Sequence, residues 1–162
     1  MKYVNPIVAR QRAPMNVFNQ TAEYALRVMA YLATIEGDRQ VRSAEISTKA
    51  RIPRHYVSKV LRRLVVAGLV DSRRGRGGGF QLARPPSTIH FIDILEATDF
   101  NADDRHCAFG LESCNAKAPC PLHPAWTELT RCVIEWANVT TLEAVQPDGV
   151  VPSIPPAQVS QG

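Results

Sequence analysis

Residues 52–84, IPRHYVSKVLRRLVVAGLVDSRRGRGGGFQLAR, constrain the fold more than any other stretch of the chain. Val57, Val60, Leu61, Leu64 and Val65 recur at the spacing of one helical face, which leaves Arg54, His55, Ser58, Lys59, Arg62 and Arg63 on the opposite side. Pro53 stands where a first helical turn favours proline, and Gly68 is placed to end the helix. The period then changes. LVDSRRGRGGGFQLA reads as a strand, a basic glycine-rich tip and a returning strand, since glycine readily supplies the backbone angles of a tight hairpin. Just upstream, Ser43 is a candidate N-cap for a short helix ending near Lys49 to Arg51. Two helices joined by a tight turn and followed by a hairpin predict a mainly α fold, a winged helix-turn-helix with a two-stranded wing.

Charge narrows the function. Residues 39–84 hold twelve Lys and Arg against two acids, a net of +10 that leaves −6 on the rest of a chain whose total is +4. Positive charge packed this densely on a helix-turn-helix favours nucleic acid as the partner. The N-terminal half of the second helix, with Arg54, His55, Tyr56, Ser58 and Lys59, is placed to meet base edges in a major groove, although Tyr56 is equally a core residue by pattern. Arg62 and Arg63 lie nearer its end, where phosphate contact is expected. Arg73, Arg74 and Arg76 sit on the hairpin tip. A phosphate-binding nucleotide loop is excluded at those glycines, because neither a Lys-Ser/Thr pair nor a helix follows them.

Elsewhere, NQTAEYALRVMAYLATIEG from Asn19 predicts an amphipathic first helix stopped by Gly37, and Ser87 is a candidate cap for a helix through TIHFIDILEATD. Pro124 restarts a helix that carries Trp126, Leu129, Val133 and Trp136 along one stripe, long enough to pack on the body or on a second copy. Residues 1–16 have no clear period, and the tail from residue 146 is rich in Pro, Gly, Ser and Gln, so both are expected to be disordered. Without a long apolar run or a signal-peptide pattern, the expected location is the cytoplasm, with no membrane partner.

Cys107, Cys114 and Cys120 are separated by six and then five residues, and His123 follows three positions after the last. In a reducing compartment a disulfide is disfavoured. Three cysteines and a histidine would complete a tetrahedral zinc set, but structural zinc sites generally include a tighter cysteine hook than these gaps provide. Wide loops of thiolates also suit an iron–sulfur cluster. Cys132, inside the last helix, reads as a small buried hydrophobe.

The helix, its AGLV end, the SRRGRGGGF wing and the three-cysteine segment, in that order, resemble the winged-helix, iron–sulfur-dependent bacterial regulators that include IscR and NsrR. The resemblance covers about residues 19–145. It implies a homodimer on a nearly palindromic double-stranded operator, joined through long C-terminal helices that residues 125–139 match. It also implies that Arg74 enters a minor groove and that Cys107, Cys114 and Cys120 are ligands of a [2Fe-2S] or [4Fe-4S] cluster. Two residues compete for the fourth position. His123 matches the histidine of IscR-like members, and Glu23 aligns with the acidic residue that NsrR-like members donate from the second subunit.

The organisation expected from all of this is a flexible leader over 1–16, a DNA-binding winged helix-turn-helix over 17–100, a cluster-binding loop over 101–124, a dimerisation helix over 125–145 and a disordered tail over 146–162. The function expected is transcription regulation, as a repressor whose cluster senses nitric oxide, redox state, oxygen or cluster supply. The alternative is a cofactor-free or zinc-stabilised DNA-binding regulator controlled by thiol oxidation or a partner protein. An enzyme is not expected, since no Cys-x-x-Cys motif or nucleophile–base pair occurs.

Overall fold

The computed structural model describes residues 18–100 and 117–145. The expected leader and tail, and with them Cys107 and Cys114, lie outside the described residues. Helix α1, Gln20–Ala33, begins where Asn19 turns its Oδ1 onto the amide of Ala22 at 2.8 Å, pairing a donor that a helix start otherwise leaves open. Its buried face runs through Ala22, Ala25, Val28, Met29, Leu32 and Ala33. The helix stops short of Gly37. Thr34 caps it, with Oγ1 donating to the Tyr31 carbonyl at 2.7 Å, a competing local bond, and Gly37 at φ +64° serves the turn beyond.

Helices α2, Ser43–Lys49, and α3, Arg54–Val66, form the helix-turn-helix. Helix α2 begins one residue earlier than a Ser43 cap implied, since Arg42 is its N-cap, and α3 begins one residue later than a first-turn Pro53 implied, since Pro53 precedes it. The reason at α2 is tertiary. Val41 exchanges two backbone hydrogen bonds with Phe80, at 2.9 and 2.8 Å, which holds the chain extended up to the helix start. The turn between the helices passes through Arg51 at φ +55° and is closed by the buried Ser47 hydroxyl, which donates to the Ile52 carbonyl at 2.7 Å.

Val57, Val60, Leu61 and Leu64 of α3 are buried as the pattern predicts, while Val65 is half-buried. Gly68, at φ +70°, reverses the chain as the Leu69 amide donates to the Leu64 carbonyl at 3.0 Å. Strands β1, Val70–Arg73, and β2, Gly79–Leu82, then pair antiparallel from Val70 with Leu82 to Arg73 with Gly79. Because Val41 pairs with Phe80 on the far side, β2 is flanked on both edges at that residue.

The helix expected from Ser87 is divided. A 3-10 turn at Pro86–Thr88 is followed by extended Ile89 and His90, and α4 spans only Phe91–Glu96. The interruption has a partner: the Phe91 amide donates to the Thr140 carbonyl at 2.9 Å and the Leu142 amide to the Ile89 carbonyl at 2.8 Å. Helix α5, His123–Val139, packs on α4 near its C-terminal end, where Ala137 is buried and Trp136 sits edge-on to Phe91 at 5.1 Å. One continuous core unites Met29, Ile46, Leu61, Leu64, Leu69, Ile89, Ile94, Leu95 and Leu142. No helix among the described residues is long and apolar enough to cross a membrane.

Between α1 and α2, Tyr31 and Arg39 both donate to Glu45, at 2.6 and 2.7 Å. These bonds, the Tyr31 hydroxyl first, hold the Glu45 carboxyl below the ordinary carboxylate range. A depressed folded-state value means the contribution is complete above the unfolded value and is lost as pH falls through the folded one.

Candidate nucleic-acid interface

The basic face of α3 is built by elimination: four apolar residues turn inward, so Arg54, His55, Ser58, Lys59 and Arg62 are exposed on the other side. Lys59 is positioned further, its Nζ lying 5.4 Å from the ring centre of Tyr56, within cation–π range. Arg63 differs from its neighbours. Its guanidinium pairs with Asp99, with side-chain exposures of 30% and 79%. Exposed pairs of this kind contribute less than about 1 kcal/mol, so an incoming phosphate can compete for Arg63.

At the wing, Arg73, Arg74 and Arg76 are all exposed. Among the described residues, none of Arg54, Arg62, Arg73, Arg74 and Arg76 has an ion-pair partner. Unneutralised cations on a helix face and on a hairpin tip are what a polyanion can engage without first breaking internal bonds. The tip is shaped by close packing: a Cβ on Gly78 would stand 2.2 Å from the Arg73 carbonyl oxygen, and one on Gly79 would stand 2.7 Å from that of Val41.

Tyr56 is half-buried, and its hydroxyl shares a 2.7 Å hydrogen bond with that of Thr21 on α1. Thr21 was not legible as a functional residue, because a bond across thirty-five positions leaves no periodic trace.

Of the cysteine-segment residues, Cys120 and His123 fall within the described part. They share one turn, with the His123 amide donating to the Cys120 carbonyl at 3.0 Å, and both are half-buried where α5 begins. Glu23 lies in the first turn of α1 and pairs with Arg27 one turn along. Among the described residues, no group of three or more His, Cys, Asp and Glu side chains is gathered as a metal site. Cys132 is half-buried rather than fully enclosed in α5.

Comparison with known proteins agrees with this architecture. The Rrf2 family, described as an iron-dependent transcriptional regulator, matches residues 18–148. The transcriptional regulator IscR of Yersinia enterocolitica is 33% identical over 119 residues, covering 74% of this chain and 72% of that one. Among solved structures, CymR of B. subtilis, described as its global cysteine regulator, superposes with a TM-score of 0.64 at 26% identity, covering 80% of this chain and 95% of CymR. IscR of T. potens shares the fold, with a TM-score of 0.61 at 23% identity, covering 79% and 84%. A basic helix-turn-helix and wing, carried on a chain whose relatives regulate transcription, identify this protein as a member of the Rrf2 family of winged-helix, DNA-binding transcriptional regulators.

Proposed function

We propose that the protein acts in the cytoplasm as a homodimeric repressor that binds a nearly palindromic duplex and holds an iron–sulfur cluster on Cys107, Cys114 and Cys120. The observation that carries this reading is the single turn joining Cys120 to His123 at the start of α5. A soft thiolate donor and an imidazole donor so close together suit a cluster, and the remaining thiolates come from Cys107 and Cys114 just upstream. His123 supplies the fourth ligand from the same turn, or Glu23 supplies it from a second subunit after releasing Arg27. When bound, the cluster supplies redox chemistry and reactivity toward nitric oxide or oxygen.

The chain's own part is mechanical. Ligation by Cys120 fixes the start of α5, and α5 also carries the apolar stripe through which two subunits meet. Releasing that ligation shifts the balance between two dimer arrangements and so changes operator affinity. Arg54, His55, Ser58 and Lys59 face the bases, while Arg62, Arg63, Arg73 and Arg76 add phosphate contacts. Arg74 is the groove-reading residue of the wing, and Arg74→Ala is expected to weaken specific binding by about 1–3 kcal/mol in a fluorescence-anisotropy titration.

Anaerobic purification tests the cofactor: brown protein containing iron and acid-labile sulfide is expected, and colourless protein with stoichiometric zinc would overturn the cluster while sparing DNA binding. Likeness to CymR favours a second reading, in which thiol oxidation is the signal. Cys114→Ala separates the sensor readings from the rest, because a variant with unaltered response to nitric oxide, oxygen and peroxide would defeat both.

A further inference from the structure

Tyr56 occupies the base-facing half of α3, yet its contacts are already spoken for. Its hydroxyl is bonded to Thr21 at 2.7 Å, the Tyr24 ring meets it edge-on at 5.3 Å and 76°, and the Lys59 ammonium lies over its ring at 5.4 Å. Thr21 and Tyr24 both belong to the first half of α1, which is itself held at its start by the Asn19 cap. A recognition helix needs its tilt and rotation fixed before its exposed side chains can meet base edges, because a misplaced helix keeps its phosphate attraction and loses its base contacts. The core residues of α3 fix its depth in the body. The part-buried hydroxyl pair adds a directional constraint to that apolar packing, and the same ring lies within cation–π range of Lys59.

We propose that Tyr56 is a positioning residue rather than a reader of DNA: with Thr21 as its anchor, it sets the placement of α3 and of the Lys59 ammonium. The inference rests on the assignment of α3 as the DNA-reading helix. Thr21→Val and Tyr56→Phe each delete the hydroxyl pair while keeping side-chain shape, and Tyr56→Phe also keeps the ring under Lys59.

The test is a double-mutant cycle on the full-length protein. The probes are a duplex selected by the wild type from a random pool and an unselected duplex of equal length, both titrated by anisotropy. Each single variant is expected to lose about 3- to 10-fold in affinity for the selected duplex, as one hydrogen bond implies. The double variant should be no weaker than either single, and affinity for the unselected duplex should be unchanged. Thr21→Ser, which retains the hydroxyl, should restore wild-type binding and guards against a variant that merely folds poorly. Loss in Tyr56→Phe with none in Thr21→Val would make the Tyr56 hydroxyl a direct contact and overturn the proposal, as would multiplying losses or wild-type behaviour throughout. Equal losses on both duplexes would reduce the pair to a fold-stability role and also overturn it. Absence of wild-type binding to every duplex would remove the DNA-reading assignment itself, whereas a failed cycle with intact wild-type binding removes only the positioning role.

Discussion

Gly79→Ala is expected to lower folding stability by about 3 kcal/mol, at the upper end of overpacking costs, because the added methyl meets backbone rather than a movable side chain. Its Cβ would lie 2.7, 2.9 and 3.0 Å from the oxygen, carbon and nitrogen of Val41. The chain can relieve that overlap only by parting Val41 from Phe80, which breaks both of the hydrogen bonds they exchange. The wing would then remain attached through β1 and the turn at Gly68, without its cross-link to the segment before α2. A lower urea midpoint with an unchanged slope is the expected signature. Gly75→Ala is the control. Its Cβ would meet nothing within 4 Å, so the strain of φ +93° is its main penalty. Equal effects of the two substitutions would show that the Val41 contact is unimportant.

On the proposed homodimer, Leu129→Asp is expected to leave the fold of one subunit intact and to abolish its pairing. Leu129 is 43% exposed and Trp126 39%, so the apolar stripe of α5 is incompletely covered by its own subunit. In a two-fold interface each substitution occurs twice. A central position costs about 2 kcal/mol or more per subunit, hence about 4 kcal/mol per dimer, which raises the dissociation constant roughly a thousandfold. Sedimentation equilibrium reads this directly. A variant that dimerises like the wild type would place the interface elsewhere. On α5, Arg131 pairs with both Glu128 and Glu135, which supports the helix independently of assembly.

The elements that sequence reading located well are those whose information is local. In α3 the burial of Val57, Val60, Leu61 and Leu64 follows from period alone, and the hairpin follows from its glycines. What it missed depends on chain segments that are distant in sequence. Ser43 has suitable cap chemistry, but Arg42, next to the Val41–Phe80 pair, is the cap, so the helix starts one residue earlier, at Ser43 itself. Ser87 likewise looks like a cap, yet Ile89 and Phe91 bond to Leu142 and Thr140, so α4 begins only at Phe91. The candidate site divides in the same way. Cations at positions 54, 59, 62, 73, 74 and 76 were readable as outward-facing, whereas the engagement of Arg63 by Asp99 and of Tyr56 by Thr21 required the tertiary fold. Cys120 and His123, three positions apart in sequence, share a turn.

The two tryptophans of the chain stand in contrasting surroundings on one helix. Trp136 lies against Phe91 and Phe18, with ring centres at 5.1 and 6.4 Å, whereas Trp126 is 39% exposed nearly three turns away. Indole emission moves to shorter wavelength as water is withdrawn, so the molecule carries its own optical gauge. Trp126→Phe would leave only the Trp136 signal, and the difference between the two spectra would isolate light from the N-terminal half of α5 without any attached dye.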